Sequence, residues 1–167
     1  MKYNESVAGL PAELIVAGKM AATGWNIYSP HRDLGIDFIA TRICRGRLMI
    51  RPVQVKGCYF KKRKDSHYYG RTDMVLNQIH DEMVLAIPYF FPDDDDKLSL
   101  QLVAYLPLIQ LHKRKSTGTY RALPAKVKDG RPQPRRDFAK FFDDPGLKSM
   151  EKANWNETEL GKEESES

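Results

Sequence analysis

The stretch IDFIATRICRGRLMIRPVQVKG, residues 36–57, combines an apolar strand pattern with polar residues at its two ends. Apolar and β-branched residues dominate both halves, and Gly46 lies between two arginines near the centre. Two such runs joined by a short glycine-containing turn are typical of a β-hairpin. We therefore predict paired strands over 36–43 and 48–57. Pro52 predicts a bulge or an unpaired N–H within the second strand.

The polar side chains at the open end of this hairpin are unusual for strands that face a core. Side chains alternate along a strand, so Gln54 and Lys56 are expected on one face, about 7 Å apart, with Val55 pointing the other way. Pairing about a turn centred on Gly46 sets residue i opposite roughly residue 92 − i, which places Asp37 opposite Val55. A buried charge is costly unless it is paired or binds a metal. The pattern therefore leaves two interpretations open: a structural ion pair at the end of the sheet, or a metal-binding or catalytic site.

The flanking sequence predicts a mixed α/β (α+β) fold. Further elements are expected in this order: a helix over 7–23 ended by Gly24, a short strand within 25–30, a short helix over 73–80, strands over 82–92 and 98–108, and a helix over 136–144 that docks through three phenylalanines. This order predicts a mixed central β-sheet flanked by helices. We assign residues 1–150 to a single domain and expect 151–167 to be a polar, disordered tail whose first part is held by Trp155.

Composition and charge narrow the class of protein. The 167 residues are 41% apolar and 29% charged, which is an ordinary globular balance rather than a disordered one. A formal net charge of +5 favours an anionic partner, and nucleic acid is the commonest one. No apolar run is long enough to span a membrane and no secretory signal is present, so a cytoplasmic protein is expected. Cys44 and Cys58 are expected to be reduced thiols rather than a disulfide or zinc ligands.

Three elements at the start of the chain resemble the core of the PD-(D/E)xK nuclease superfamily. That core has a helix bearing a Glu, a strand beginning with Asp, and a following strand that ends in (D/E)xK. The corresponding residues are Glu13 in GLPAELIVAGKMAATGW, Asp37 in DLGIDFIA, and the QxK variant in VQVKG. The combination is similar to the prokaryotic endonuclease-like families of this superfamily, and it covers residues 6–57. The resemblance implies a restriction-endonuclease-like core.

The resemblance also implies an activity, which is Mg²⁺- or Mn²⁺-dependent endonucleolytic hydrolysis of nucleic acid, with DNA as the expected substrate. A divalent ion would neutralise charge on the phosphoryl oxygens and activate a water molecule. Oxygen atoms are the ligands that Mg²⁺ prefers. The implied metal ligands are Asp37, Gln54, Glu13 and the carbonyl of Val55. Lys56 would orient the water and stabilise developing charge, which makes Asp37, Gln54, Lys56 and Glu13 the implied catalytic residues.

Three residues in or beside this implied site affect its interpretation. Gln54 carries no charge where most members have an acid, so metal binding is expected to be weaker. Glu13 also fits a simple structural role, because an exposed Glu in the first turn of a helix interacts favourably with the helix dipole. Asp33 is either an outer ligand or the cap of its own turn.

A basic and aromatic segment follows Lys56 directly. Its predicted nucleic-acid-binding residues are Lys61, Lys62, Arg63, Lys64, Tyr68, Tyr69 and Arg71. Lysine and arginine contacts to phosphate supply non-specific, salt-dependent affinity, and aromatic rings stack on unpaired bases. Arg45, Arg47 and Arg51 extend this positive charge into the hairpin. A second basic segment, 113–136, is explained equally well as a nucleic-acid contact and as solvated surface.

Two other classes of function stay open at this point. One is a non-catalytic nucleic-acid-binding module with the same fold. The other is a protein-interaction component whose basic loops meet an acidic partner. The pattern does not distinguish DNA from RNA or a monomer from a homodimer.

Overall fold

The computed structural model describes residues 5–32, 35–60, 72–74, 80–93, 97–108, 111–113, 120–128 and 131–155. The helices are α1 (Glu5–Ala22), a 3-10 helix (Arg136–Phe141) and α2 (Asp143–Ser149). The strands are β1 (Asn26–Tyr28), β2 (Phe38–Cys44), β3 (Arg47–Val55), β4 (Cys58–Tyr59), β5 (Thr72–Met74), β6 (Val84–Pro92), β7 (Leu98–Pro107), β8 (His112–Lys113), β9 (Tyr120–Ala122), β10 (Ala125–Lys128) and β11 (Arg131–Pro134). In these ranges no helix is long and apolar enough to cross a membrane.

A mixed six-stranded sheet forms the centre of the molecule. Its strands follow the order β1-β2-β3-β6-β4, and β7 pairs with the other edge of β6. The pairs β1–β2, β2–β3 and β6–β7 are antiparallel, whereas β3 and β4 both run parallel to β6. The predicted mixed α/β fold with a mixed central sheet is therefore confirmed.

The predicted hairpin is present, and its strands pair one residue away from the expected register. Phe38 pairs with Val53 and Cys44 with Arg47, so the loop consists of Arg45 and Gly46 alone. Both loop residues have positive φ, 51° and 75°, which is the requirement of a two-residue type I′ turn. The turn is centred between these two residues, so the register differs by one residue from the approximate one that a turn centred on Gly46 gives.

Pro52 lies in an unbroken ladder opposite Ile39, so the predicted bulge is absent from this strand pair. The N–H of Asp37 donates to the carbonyl of Val53 at 2.9 Å, which turns the polar backbone atoms of Val53 toward β2. Because successive residues alternate, the backbone of Pro52 faces the other edge of β3. There β6 begins only at Val84, opposite Val53, so the missing N–H of proline leaves no ladder bond unmade.

Two apolar layers enclose the sheet. α1 and the end of α2 cover one face, through residues that include Ala12, Val16, Met20, Leu147 and Met150. The β10–β11 hairpin and the 3-10 helix cover the other face, through Ala125, Val127, Phe138 and Phe141. The three predicted docking phenylalanines are all buried, in and just after the 3-10 helix. Phe142 belongs to the same layer.

α1 ends as the sequence predicts. Gly24 has φ of 94°, and its N–H donates to the carbonyl of Ala21 at 2.9 Å. The N–H of Trp25 reaches back to the carbonyl of Met20 at 3.2 Å. These two bonds form a Schellman cap, whose left-handed residue is favourable for glycine. The cap directs the chain from α1 into β1.

The short helix predicted over 73–80 is wrong in its first part. Thr72–Met74 is a strand that pairs antiparallel with Tyr120–Ala122. Cross-strand hydrogen bonds there override the local helical preference of the segment. Residues 75–79 lie outside the described ranges. At the C-terminus Trp155 is buried and holds 151–155 against the domain, and 156–167 also lie outside these ranges.

Arg51 is a buried cation, only 2% exposed, in the middle of β3. Its Nε and Nη2 donate to the carbonyl of Met150 at 3.1 and 2.9 Å, and Nη2 also donates to the carbonyl of Lys152 at 2.9 Å. Nη1 forms a salt bridge with Glu82, which also accepts the indole N–H of Trp155 at 3.1 Å. Burial lowers the pKa of Arg51, and the attraction of Glu82 opposes that shift. Arg51 is therefore part of the core and not of the predicted basic surface.

Candidate active site

Asp37 lies directly before β2, where the β2–β3 ladder ends. Its side-chain Oδ2 accepts the N–H of Val55 at 2.5 Å, while its own N–H donates to the carbonyl of Val53. The carboxylate therefore takes the place that the next backbone carbonyl of β2 would occupy. Asp37 and Val55 meet as the sequence predicts, although through a side chain rather than by strand pairing.

The backbone of Val55 also directs its carbonyl toward Asp37. Lys56 donates its N–H to the carbonyl of Ala86 at 2.9 Å, on the β6 side of the strand. Successive residues of a strand alternate their polar groups between the two edges, so the polar groups of Val55 face the β2 edge. Its N–H and carbonyl oxygen thus both point toward the end where Asp37 lies.

Pro88 explains why β3 ends here. In a parallel ladder, a residue that donates its N–H to one residue of the neighbouring strand accepts, through its own carbonyl, the N–H of the residue two positions further along that strand. Lys56 donates to Ala86, so its carbonyl would accept the N–H of residue 88. That residue is Pro88, which has no N–H. Pairing resumes only at Cys58, opposite Tyr89. Lys56 and Gly57 therefore leave the sheet at this point, and the Lys56 side chain starts from a half-buried position.

Gln54 lies on the face of the sheet opposite α1. It pairs with Leu85, which belongs to the layer covered by the 3-10 helix, whereas Val53 and Val55 contact the α1 layer. Its side chain is 5% exposed, and its Oε1 has no hydrogen-bond partner within the described ranges. Gly35 lies against its amide group, because a Cβ built there would be 3.8 Å from Nε2.

A buried amide oxygen without a donor is unfavourable, by about 1–3 kcal/mol. Two other buried polar atoms lack a partner among the described residues, Trp25 Nε1 and Tyr105 Oη. Both residues belong to the α1 layer. Of the three atoms, Gln54 Oε1 alone cannot donate a hydrogen bond, and it lies at the strand end where Asp37 binds the N–H of Val55. It is therefore an acceptor that a bound cation would satisfy.

Glu13 lies on α1, whereas the other candidate residues lie on or beside the hairpin. Its side chain is half-buried on α1, next to the buried Ala12, and α1 packs on the Val53 and Val55 face. Gln54 points to the opposite face. The structure thus brings Asp37, Gln54, Val55 and Lys56 to one end of β3, and it places Glu13 on the other side of the sheet, from which it would approach Asp37 around the strand end.

The donor set matches the chemistry of a hard divalent cation. The Asp37 carboxylate, the Gln54 amide oxygen and the Val55 carbonyl are oxygen ligands of the kind that Mg²⁺ binds, with waters completing the octahedron. No three His, Cys, Asp or Glu side chains cluster in the described ranges. A metal here would therefore depend on amide and carbonyl oxygens beside the acid, which is the consequence of having Gln in the QxK position.

Other residues near this end are less suited to chemistry. His31 is exposed. Cys58 begins β4, and burial raises the pKa of its thiol to about 12, which favours the neutral thiol at neutral pH. Both cysteines are free thiols. Asp33 and the predicted nucleic-acid-binding residues Lys61, Lys62, Arg63, Lys64, Tyr68, Tyr69 and Arg71 lie outside the described ranges.

Sequence reasoning missed one further group of cations. Lys148 and Lys152 line a groove together with the hairpin residues Arg45 and Arg47. About a hundred positions separate the two walls, so no local pattern could have connected them. Only the two hairpin arginines carried a recognisable pattern, as part of the basic run around β3.

Neither the scan against protein-family models nor the search of curated proteins finds a match to this sequence. The resemblance to the PD-(D/E)xK superfamily therefore rests on the sequence motifs around Glu13, Asp37 and Lys56 and stays a prediction.

Proposed function

We propose that the protein is a metal-dependent endonuclease of the PD-(D/E)xK type that hydrolyses phosphodiester bonds in nucleic acid, with DNA as its substrate. The observation that carries this proposal is the unpartnered Oε1 of Gln54, buried at the strand end where Asp37 binds the N–H of Val55. A cation at this position would give that oxygen a partner and would complete the set of oxygens around Asp37.

Each residue has a role in this proposal. Asp37, Gln54 and the Val55 carbonyl would hold Mg²⁺ or Mn²⁺, and Glu13 would contact the ion directly or through water. When bound, the ion would polarise the phosphodiester and lower the pKa of the attacking water. Lys56 would hydrogen-bond that water and stabilise negative charge on the phosphoryl oxygens. The rigid hairpin fixes Asp37 relative to Val55, so little reorganisation is needed when substrate arrives.

The setting of the site agrees with such a substrate. The chain carries a net charge of +5, and a run of basic and aromatic residues follows Lys56 in the sequence. A polyanion would be attracted to that run by its phosphates. We propose a cytoplasmic location, where the free thiols of Cys44 and Cys58 would stay reduced.

A plasmid-nicking assay tests the proposal. Wild-type protein is incubated with supercoiled plasmid in Mg²⁺, in Mn²⁺ and in EDTA, beside Asp37→Ala and Lys56→Ala. We expect nicking that requires the metal, and a loss of about a hundredfold or more in each variant, since both remove charge stabilisation of the transition state. Asp144→Ala and Lys97→Ala are matched controls, because both residues are exposed and lie outside the hairpin and both basic segments.

DNA binding by the same proteins separates the proposal from its main alternative. The bond from Val55 N–H to Asp37 would also be present in a binding module, where Asp37 would serve only to end the ladder. A module of that kind would bind DNA in a salt-dependent way and would nick it in neither metal. Nicking by wild type that survives in Asp37→Ala would also contradict the proposal.

A further inference from the structure

A groove of about 810 Å³ lies at the far end of the hairpin, away from Asp37. One wall is the hairpin turn, and the other is the end of α2 with the segment that follows it. The lining residues are Arg42, Ile43, Cys44, Arg45, Arg47, Met49, Lys148, Glu151, Lys152, Ala153 and Asn154. Five of these are cations and one is an acid, so the groove is strongly positive.

One of the five cations is already neutralised. Arg42 forms a salt bridge with Glu151 at 2.5 Å, which joins the two walls. Arg45 and Arg47 on the hairpin, and Lys148 and Lys152 across from them, form no salt bridge within the described ranges. All four are exposed. The groove thus presents on each wall two cations that form no ion pair in the described part of the chain.

The rest of the lining is mostly uncharged. Cys44 and the buried Met49 lie in it beside Ile43, which is 73% exposed, and the acid of the lining, Glu151, is paired with Arg42. Exposed cations on two facing walls are complementary to the closely spaced phosphates of nucleic acid, since a duplex carries one negative charge per about 1.7 Å of its axis. We therefore take nucleic acid as the occupant, because its phosphates would balance both walls at once.

We propose that this groove binds backbone phosphates of the nucleic acid whose cleavage is proposed at Asp37. The inference rests on the proposed function only for the link between the two sites, because the charge of the groove is independent of it. β2 is seven residues long and connects the sites as one rigid strand. At about 3.4 Å per residue it spans roughly 24 Å, which is the length of about seven base steps of a duplex.

A binding experiment in EDTA, where no metal-dependent cleavage occurs, tests the groove directly. The probe is a labelled duplex of about 20 base pairs, with titrations across a series of salt concentrations. Arg45→Glu/Arg47→Glu is compared with Lys19→Glu/Lys97→Glu, which makes the same charge change at exposed positions outside the groove and outside both basic segments. We expect the hairpin pair to weaken binding about tenfold or more and to lower the salt slope by about two, and the Lys19/Lys97 pair to weaken it less than about threefold.

Further measurements identify which form of nucleic acid or phosphate the groove binds. Lys148→Glu/Lys152→Glu should reproduce the loss from the opposite wall. A duplex of about six base pairs is too short to reach both sites, so it should bind wild type more weakly than the long duplex, and it should still lose affinity in the hairpin variant because it can bind in the groove alone. If a free nucleoside triphosphate competes with the long duplex as well as unlabelled duplex does, at equal phosphate concentration, the groove takes small phosphate ligands and the proposal fails.

The outcomes separate this proposal from that of nuclease activity. Equal losses in the hairpin and Lys19/Lys97 pairs, no loss in either, or no binding by wild type would each overturn the proposal that the groove binds nucleic acid. Weaker binding confined to the groove variants supports it even if no protein nicks plasmid, in which case only the endonuclease proposal falls. Circular dichroism confirms that each variant is folded.

Discussion

β3 buries two polar side chains three residues apart, and they differ in how well they are satisfied. Arg51 is surrounded by acceptors, with Glu82 and the carbonyls of Met150 and Lys152 in hydrogen-bond contact. Gln54 is almost as buried, but its Oε1 has no partner in the described ranges. Burial alone therefore does not distinguish a structural polar residue from a functional one.

The state of the surrounding hydrogen bonds does distinguish them. A buried group whose partners are complete stabilises one arrangement of the chain, and its removal leaves those partners unsatisfied. A buried acceptor without a donor is stabilised when a ligand supplies what the fold does not. Substitution of Arg51 is therefore expected to lower the free energy of unfolding, and substitution of Gln54 to weaken metal binding.

The largest expected effect is at Arg51. Arg51→Met should lower the free energy of unfolding by about 3–5 kcal/mol, because the carbonyls of Met150 and Lys152 and the carboxylate of Glu82 lose their partner. Urea denaturation measures the change. The double variant Arg51→Met/Glu82→Gln should recover part of the loss, and a single variant as stable as wild type would contradict the structural role.

A smaller effect is expected when Gln54 becomes an acid. Gln54→Glu should lower the free energy of unfolding by about 1–3 kcal/mol at neutral pH without metal, because the new carboxylate is buried near Asp37. Both causes raise the pKa of the introduced carboxyl. The loss should therefore be absent at low pH, where the group is protonated in both states, and should develop as the pH rises above the usual range of Glu. Urea denaturation across pH, with saturating Mn²⁺ as a rescue, tests this.

Divalent metal should stabilise the wild-type protein by binding its folded state. At ten times the dissociation constant, Mn²⁺ should add about 1.4 kcal/mol, which a thermal shift detects. Gln54→Met and Asp37→Asn should lose this shift, whereas Asp144→Asn should keep it. An equal shift in all four proteins would place the metal elsewhere and would remove the functional contrast between Gln54 and Arg51.

The smallest effect is expected for a second arginine pair, which sharpens the comparison with Arg51. Arg42 and Glu151 form a salt bridge whose side chains are 30% and 33% exposed. Solvent screens such a pair, so Arg42→Ala should change the free energy of unfolding by less than about 1 kcal/mol. A loss as large as that of Arg51→Met would show that burial does not control the strength of these contacts.

Much of the fold was predictable because its cues are local. The Arg45–Gly46 turn, the Gly24 helix end and the alternation that puts Gln54 and Val55 on opposite faces all follow from nearby residues. The strand at Thr72–Met74 was not predictable in this way, since its partner lies near residue 121. The absence of a bulge at Pro52 depends on where β6 begins, which is also a long-range property.

The candidate site was predictable in its residues but not in its contacts. The motif gave Asp37, Gln54 and Lys56, and the hairpin brought them to one strand end. The bond from Val55 N–H to the Asp37 carboxylate depends on a shift of one residue in register, and the partnerless Gln54 Oε1 depends on packing from the opposite layer. Glu13 shows the same limit, because a helical pattern does not specify which side of a sheet the helix covers.

The partners of Arg51 also set the order in which a growing chain can finish folding. β3 leaves the ribosome about a hundred residues before Met150 and Lys152, which supply its acceptors. Until those residues are synthesised, Glu82 is the one of these partners that the guanidinium can reach, and its other N–H groups have to stay hydrated. We therefore expect β3 to be enclosed only after the segment up to Trp155 has been made, and nascent chains that lack this segment to be targets for chaperones and proteases.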